Sequence, residues 1–372
     1  MKSHFRIGES RGRPTSMDRM AGQAFRRRVD RIVAMLLMAA AMWTSPGAAP
    51  AMAAGDETLE LRGQVVIPPE AVLRGKRISL TLVHVNTAFH ERTRADSKGR
   101  FRFKKIPPGT YGLLIVIPGA GEMRSTVDVT PAFADERGRV EKQFAYDAET
   151  LAKEAVPANQ GMVSVRQLSI PRKARREYSE ARDDLRRHKV ESARKHLEKA
   201  VEIAPQFLEA LNYLGVLAYQ RDEFAVAENY FRQALQLDPE AYEPLVNLGG
   251  ALLALGKTEE ALEINRQAQT ARPQDALANS QLGLSYYLLG NDEEALNYLL
   301  LTTQIDPAHF TNPQIPLANI YLRNSNEEAA IEELEDFLER HPDSPDAGSV
   351  RALLARIRDG RESAATATVV FE

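Results

Sequence analysis

Residues 242–273 read YEPLVNLGGALLALGKTEEALEINRQAQTARP, and other stretches of the chain repeat this pattern in the same register. Prolines recur 34 residues apart, at Pro205, Pro239, Pro273 and Pro307. Small residues recur 24 positions before these prolines (Ala181, Gly215, Gly249, Gly283), and alanine recurs 12 positions before them (Ala193, Ala227, Ala261, Ala295). Proline ends a helix because it lacks an amide donor and clashes with the preceding turn. A fixed period with small contact residues and a stop signal predicts stacked helix pairs, a solenoid.

The array extends beyond the four regular units. A fifth unit carries one extra residue and ends at Pro342, and its first helix opens with the sequence NPQIP at residues 312–316. We expect the insertion to loosen that helix start. Residues 346–360 predict a terminal helix that covers the last apolar face, and residues 361–372 predict a disordered tail.

The repeated pattern resembles the tetratricopeptide repeat, with Leu, Leu-Gly, Ala or Tyr, Ala, Phe or Leu, Ala and Pro where that family has them. The resemblance covers about residues 173–342. It implies a right-handed all-α solenoid of about five repeats plus a terminal helix, over residues 172–360. Some relatives grip a C-terminal carboxylate with lysine, arginine and asparagine. Asn247 matches one such asparagine, but Tyr178, Arg182, Leu277 and Gln281 occupy the other positions, so the set is incomplete.

The N-terminus predicts a secretory signal peptide over residues 1–53. Arginines at 26–28 and 31 precede an apolar run from Ile32 to Trp43, and Ala51-Met52-Ala53 supplies a small-x-small cleavage site. Twelve apolar residues are few for a membrane span. An uncleaved anchor and twin-arginine export are the alternatives, and translation starts at Met1, Met17 or Met20. Cleavage near Ala53 would place the protein in the periplasm or outside the cell.

Composition excludes several kinds of chemistry. The chain has no cysteine, which excludes disulfides, a lipoprotein anchor and thiol catalysis. Removing residues 1–53 takes away nine Lys/Arg and three Asp/Glu, so the net charge changes from −3 to −9. Residues 172–199 hold eleven basic and six acidic residues, a pattern that nucleic-acid-binding segments share. The acidic body and the interleaved carboxylates favour a solvated helix face instead, and we expect no nucleic-acid partner.

Residues 57–147 change from a period near 3.6 to a period of 2. Six or seven short strands, separated by Gly/Pro turns, predict a small all-β sandwich. The stretch DSKGRFRF at 96–103, followed by IPPGTY at 106–111, resembles the carboxypeptidase regulatory-like, transthyretin-type domain. We expect Asp96 and Gly99 to close a hairpin, and Phe101 and Phe103 to enter the core. Residues 148–171 form the linker, and the whole layout looks like bacterial cell-envelope proteins.

The sequence contains few candidate catalytic or metal-binding groups. His84 and His90 could form a metal pair only if a turn joined them, and surface histidines are the alternative. Acidic pairs such as Glu259-Glu260 recur at one repeat position, where negative charge suits a helix start. No phosphate-binding loop, nucleophile elbow or zinc motif occurs. The sequence therefore predicts no enzyme, no cofactor and no metal site.

The concave side of the array is the predicted functional surface. Helical positions about 140° from the packing face form this groove. The candidates are Asn212, Val216, Tyr219, Val246, Asn247, Leu253, Leu277, Leu284 and Tyr287. Such a groove suits an extended or helical segment of a partner protein, and packing against neighbouring helices is the alternative. The predicted function is an exported scaffold or adaptor. The rival is an envelope module whose sandwich aromatics (Phe89, Tyr111, Phe133, Tyr146) bind glycan while the repeats recruit a protein.

Overall fold

The structure is a computed structural model that describes residues 58–67, 77–85, 89–118, 121–146 and 169–359. The predicted signal peptide, nearly all of the linker and the C-terminal tail lie outside these residues. Within them, the chain forms a two-sheet β domain followed by eleven helices. The predicted fold class, a small β-sandwich followed by a solenoid of helical repeats, is confirmed.

Seven strands build the sandwich. They are β1 (Leu59–Val66), β2 (Ser79–His84), β3 (His90–Arg94), β4 (Arg100–Ile106), β5 (Gly109–Ile117), β6 (Gly121–Val129) and β7 (Arg139–Ala145). One sheet has the order β4-β1-β7 and the other the order β3-β2-β5-β6. Only β1 and β7 pair in parallel among these strands. The strand order places β6 at one edge of the four-stranded sheet.

The alternating apolar residues fill the space between the sheets, as the period of 2 predicts. Phe101 and Phe103 are both buried in this core. The Asp96 carboxylate accepts hydrogen bonds from the amides of Lys98 and Arg100, both at 2.9 Å. Gly99 follows with φ +76°, and a Cβ there would overlap the carbonyl of Val65. This turn is not a hairpin, because it joins β3 of one sheet to β4 of the other.

The solenoid is built from helix pairs and a terminal helix. The helices are α1 (Arg172–Arg186), α2 (Val190–Ile203), α3 (Leu208–Tyr219), α4 (Phe224–Leu237), α5 (Tyr242–Ala254), α6 (Thr258–Ala271), α7 (Ala276–Leu289), α8 (Asp292–Ile305), α9 (Gln314–Arg323), α10 (Glu327–Arg340) and α11 (Ala347–Arg358). Acidic pairs occupy the first turns of α6, α8 and α10, which confirms their role at helix starts.

The small residues mark the close contacts between paired helices. A Cβ added at Gly215 would overlap the ring of Phe231, and one at Gly283 would overlap Leu299. The corresponding contact in the third repeat is different, because Gly249 faces the amide of Asn265. Each glycine thus leaves room for one side chain of the second helix in its own repeat.

The extra residue of the fifth repeat shortens its first helix. Helix α9 has 10 residues, while the other first helices have 12 to 15. Asn312 adopts φ +51° in the loop before it. The Gln314 side chain donates to the carbonyl of Pro307 at 2.8 Å and to Asp336 at 2.9 Å, and so ties this loop to α10. The insertion therefore adds loop at the inter-repeat edge.

Candidate functional site

The first helices of successive repeats line the concave face, and α3, α5 and α7 are direct neighbours there. Two side chains converge over Gly250, at the middle of α5. A Cβ at Gly250 would lie 2.8 Å from the Gln281 amide nitrogen and 3.9 Å from the Tyr219 hydroxyl. The absence of a side chain on Gly250 therefore lets α3 and α7 extend polar groups across the floor of the groove.

Tyr219 is the exposed aromatic of this floor. Its side chain is 39% accessible, although its ring contacts Phe224 edge-on at 5.2 Å. Burial nevertheless raises the pKa of the Tyr219 hydroxyl, with a smaller contribution from the Asp222 charge. Tyr219 is thus an exposed ring whose hydroxyl reaches over Gly250 of the neighbouring first helix.

Polar groups continue the floor on either side of Gly250. Asn247 donates to the Asn212 amide oxygen at 3.0 Å, so these two predicted residues come together across neighbouring repeats. The Gln281 amide oxygen is buried, and no described residue donates a hydrogen bond to it. An unsatisfied buried acceptor is costly. The sequence singled out Gln281 only as the residue at one of the positions with which some relatives grip a C-terminal carboxylate.

The other predicted groove residues divide into two groups. Val216, Leu253, Leu277 and Leu284 are partly buried and pack against neighbouring core residues. Val246 and Tyr287 are 2% and 8% accessible, so they belong to the packed interior.

The prediction that Val246 and Tyr287 offer groove surface is wrong. Tyr287 packs with Leu317 and Ile320, and Asn319 donates to its hydroxyl at 3.3 Å. The predicted positions came from the angles of residues around a single helix, whereas in the structure the next repeat covers Val246 and Tyr287.

The sandwich docks against the solenoid, which the sequence did not predict. The backbone N–H of Thr126, on edge strand β6, donates to the Asp306 carboxylate at 2.8 Å. Two residues further on, Asp128 lies 3.0 Å from His341 Nδ1. Asp128, Asp306 and His341 are all buried. Loops at the ends of the fourth and fifth repeats therefore cover the free edge of the sheet.

Arg124 extends this contact to the third repeat. Its guanidinium lies 3.6 Å from Glu243 and 3.7 Å from Asp275, and 5.8 Å from the ring centroid of Tyr242. Asp275 also caps α7 by accepting from the amides of Leu277 and Ala278. One carboxylate thus serves both a helix start and the docked strand, and charges of opposite sign meet at this edge.

The far side of the sandwich contacts the first repeat. Phe89 stacks on His188 with the ring centroids 5.1 Å apart, and His188 lies in the turn between α1 and α2. Turns within a helix pair and loops between pairs lie at opposite edges of an antiparallel stack. The sandwich therefore contacts the solenoid at both edges, at the inner turn of repeat one and at the outer loops of repeats three to five.

Buried titratable groups accompany the docking loops. Burial raises the pKa of the Asp306 carboxyl, although the bond from Thr126 opposes this effect. Burial lowers the pKa of His309 to about 4, and its Nδ1 lies 2.7 Å from the Thr311 hydroxyl. Neutral His309 therefore sits inside the loop that presents Asp306 to β6.

His84 and His90, the two histidines that a turn could bring together, do lie near one another in the sandwich. His84 and His90 lie at the ends of adjoining strands, where Val83 pairs with His90. The His84 ring packs against Tyr111 at 4.9 Å, and burial lowers the pKa of both histidines. The described residues contain no group of three side chains able to hold a metal ion.

Comparisons with known proteins agree on the repeats. One model of the tetratricopeptide repeat matches residues 178–241, 217–276 and 246–309, and another matches residues 317–344. The predicted tetratricopeptide repeats are confirmed in these segments. The matched segments all lie in the repeats, outside the sandwich.

Similar proteins share only parts of their length with this chain. The human cell division cycle protein 16 homolog is 35% identical over 115 residues, which are 28% of this chain and 18% of that protein. Cellulose synthase 2 operon protein C of Komagataeibacter xylinus is 40% identical over 57 residues, 15% of this chain and 4% of that protein.

Two solved structures illustrate the structural similarity. MamA 41-end from Desulfovibrio magneticus RS-1 has a TM-score of 0.43 at 21% identity and covers 48% of this chain and 99% of its own. PilW, a type IV pilus biogenesis factor, has a TM-score of 0.45 at 20% identity, with coverages of 52% and 90%. Among the described helices, none combines the length and apolar composition needed to cross a bilayer.

Proposed function

We propose that this protein is an exported, non-enzymatic scaffold that binds a segment of a partner protein on its concave face. The observation that carries the proposal is Tyr219, an aromatic ring that stays 39% accessible and converges with Gln281 over Gly250, so that three repeats meet there. Aromatic anchors in concave, partly desolvated sites supply most of the affinity at protein interfaces.

Export and the identity of the sandwich are parts of the same proposal. The basic residues 26–31, the apolar run from Ile32 to Trp43 and the small residues at 51–53 support a cleaved signal peptide. The turn residues Asp96 and Gly99 and the buried phenylalanines support a carboxypeptidase regulatory-like domain.

The glycan alternative has less support. Phe89 and Tyr111 are buried in the sandwich core, and Phe133 and Tyr146 pack against it. The Tyr111 hydroxyl donates to the carbonyl of Pro107 at 2.6 Å. These rings stabilise the domain and are not arranged on its surface for stacking on sugars.

The test begins with the mature protein, carrying a photo-crosslinker at Val216, expressed in its own envelope. Mass spectrometry identifies the captured protein, which is then titrated against purified variants. Tyr219→Ala should weaken binding by about 2 kcal/mol, roughly 30-fold, with an unchanged melting temperature.

The matched control is Val226→Ala. Val226 is also an exposed apolar residue, but it lies on α4, the second helix of the same repeat. This variant should bind normally. Equal affinity of the Tyr219 variant and the wild type, or capture of glycan without protein, would contradict the proposal.

A further inference from the structure

The four-stranded sheet turns one of its faces toward the solenoid. Side chains alternate between the two faces of a strand. Met123 and Val127 of β6 point into the sandwich core, so Arg124 and Asp128 point outward. Arg124 contacts two carboxylates of the solenoid, and Asp128 contacts His341. The outward face of this sheet is therefore the one that faces the helices.

One row of residues crosses this outward face from strand to strand. His90 of β3 pairs with Val83 of β2. Val83 pairs with Gly112 of β5, which pairs with Thr126 of β6. Both ends of the row reach the solenoid, because the residue before His90 stacks on the turn of repeat one and Thr126 donates to Asp306. The sheet is thus held at its two edge strands.

The middle of the row is open. Val83 points outward because Leu82 before it lies in the core, and Val83 is 42% accessible. Among the described residues, a Cβ added at Gly112 would meet only the carbonyl oxygen of Val83, at 3.9 Å. No described atom of the solenoid therefore lies within 4 Å of that position. We call this space over Val83 and Gly112 the interdomain gap.

Helix α3 lies opposite the interdomain gap. The sheet contacts repeat one beside β3 and repeats three to five beside β6, and repeat two lies between these contacts. Tyr219 ends α3 and is 39% accessible. Its hydroxyl reaches over Gly250 of α5, and Glu243 at the start of α5 contacts Arg124. At 1.5 Å per residue, Gly250 lies about 10 Å along α5 from that docking contact.

Exposed apolar side chains concentrate at the interdomain gap. Among the described residues, four large hydrophobic side chains are exposed, and they are Val66, Val83, Tyr219 and Val226. Val83 lies on the sheet side of the gap and Tyr219 on the helix side. A bound segment would remove both from water at once, and exposed apolar surface that can be covered in this way marks interaction sites.

We propose that an extended segment of a partner protein passes through the interdomain gap and buries apolar side chains against Val83 on one side and Tyr219 on the other. This inference rests on the proposed function, because it adds a second wall to the same site and gives the shape of the segment. Side chains of an extended chain alternate, so consecutive residues of the segment reach opposite walls.

The dimensions favour an extended chain over a helix. The edge strands of a four-stranded sheet lie about 14 Å apart, and the gap is closed at both of them. At β6 the Thr126 nitrogen is 2.8 Å from the Asp306 carboxylate, and beside β3 the stacked ring centroids of Phe89 and His188 are 5.1 Å apart. A helix with its side chains is about 10–12 Å across and would need nearly that height as well.

Charge and wall chemistry narrow the segment further. Residues 208–360 hold ten basic and twenty-five acidic residues, and Arg124 already faces the carboxylates of Glu243 and Asp275. Basic residues on either side of the apolar ones therefore complement the solenoid, and acidic ones do not. A glycan fits less well, because the sheet side offers Val83 and Gly112 and no aromatic ring for stacking.

The test uses the mature full-length chain and two fluorescent octapeptides of identical composition. Lys-Lys-Val-Leu-Val-Leu-Lys-Lys is apolar on both faces when extended, whereas Lys-Val-Lys-Leu-Lys-Val-Lys-Leu is apolar on one face only. We expect the first peptide to bind at least about tenfold more tightly, because only it can bury apolar side chains on both walls. Replacing its four lysines with glutamates should weaken binding at low salt.

Variants of the sheet locate the site. Val83→Lys should weaken binding of the first peptide by at least about tenfold, because the lysine would face apolar residues and like charges. Val66→Lys is the matched control, since Val66 is 38% accessible and points outward from β1 in the other sheet. Gly112→Leu adds no charge, and its side chain would fill the open space and weaken binding by about tenfold. All three variants should keep the melting temperature of the wild type.

Several outcomes would overturn the inference. Equal affinity for the two lysine peptides, or equal loss in Val83→Lys and Val66→Lys, would show that charge alone attracts them. Displacement of the peptide by laurate would assign the gap to acyl chains, and binding that appears only in Val163→Asp/Val165→Asp would assign it to the chain's own linker. If these tests fail while partner binding still depends on Tyr219, only this inference fails. Loss of the Tyr219 dependence would remove the proposed function as well.

Discussion

Replacing Asp306 with alanine should release the edge of the sandwich. The Asp306 side chain is 4% accessible and accepts the Thr126 N–H at 2.8 Å, across 180 residues of chain. A hydrogen bond to a charged group contributes about 1.5–3 kcal/mol. Burial raises the pKa of Asp306, which means that desolvating the carboxylate offsets part of this gain. We therefore expect a net loss of about 1–2 kcal/mol of docking free energy, or roughly a 5- to 30-fold lower ratio of docked to undocked molecules.

Amide hydrogen exchange measures this change directly. The Thr126 N–H points away from β5 to Asp306, while the Val127 N–H, next along the strand, points inward to β5. In Asp306→Ala, Thr126 should lose protection by the expected factor, and Val127 should keep its protection because the sheet is intact. Asp343→Ala is the control, since Asp343 is an exposed carboxylate in the loop after α10.

The reasoning would be refuted by either of two results. Unchanged protection at Thr126 would show that Asp306 does not hold the edge. Equal loss at Thr126 and Val127 would show that the substitution unfolds the sandwich instead of undocking it.

Three further substitutions test buried groups of the solenoid. Burial lowers the pKa of His309 to about 4, so the unfolded chain binds more protons than the folded chain between pH 6.5 and 4. The contribution of His309 to stability should therefore be complete above pH 6.5 and fall by up to about 3 kcal/mol as pH drops through that window. In urea titrations His309→Gln should flatten this dependence, and an unchanged slope would contradict it. Burial raises the pKa of Glu333 to about 7, so its contribution to stability has the opposite sign and is lost as pH rises from 4.5 to 7. Glu333→Gln should remove this loss and leave the loss that His309 causes at acid pH. Asn265→Leu should raise the free energy of unfolding by about 1–2 kcal/mol, because the buried Asn265 oxygen has no donor among the described residues. The apolar side chain of Phe231 fills the corresponding place in the preceding repeat. A destabilised variant would show that the hydrogen bond from Asn265 to Ser285 contributes more than the unsatisfied oxygen costs.

The sequence predicted what depends on neighbours along the chain. Prolines at a fixed spacing and small residues such as Gly215 and Gly283 report local helix contacts, so the solenoid followed from the pattern. The turn at Asp96 was predicted for the same reason. Its place between two sheets was not, because a turn motif does not say which strands its flanks join.

The candidate site was only partly predictable. Tyr219 and the Asn212–Asn247 pair lie on the expected face, but one helix does not reveal what the next repeat covers, and so Tyr287 was misplaced. The docking of the sandwich had no local signal at all. Its contacts join residues 180 and 213 positions apart, and polar residues in loops carry no period that would single out Asp306 or His341.

The order of synthesis gives the covered edge strand a further consequence. Thr126 is made 180 residues before the carboxylate that covers it, and Asp128 is made 213 residues before its histidine. At about 5–20 residues per second, the nascent sandwich would wait roughly 10–40 s with one side of β6 uncovered. During that interval the charged residues Arg124 and Asp128 of β6 discourage a neighbouring chain from pairing there. The residues that later anchor the docked sandwich thus first oppose aggregation.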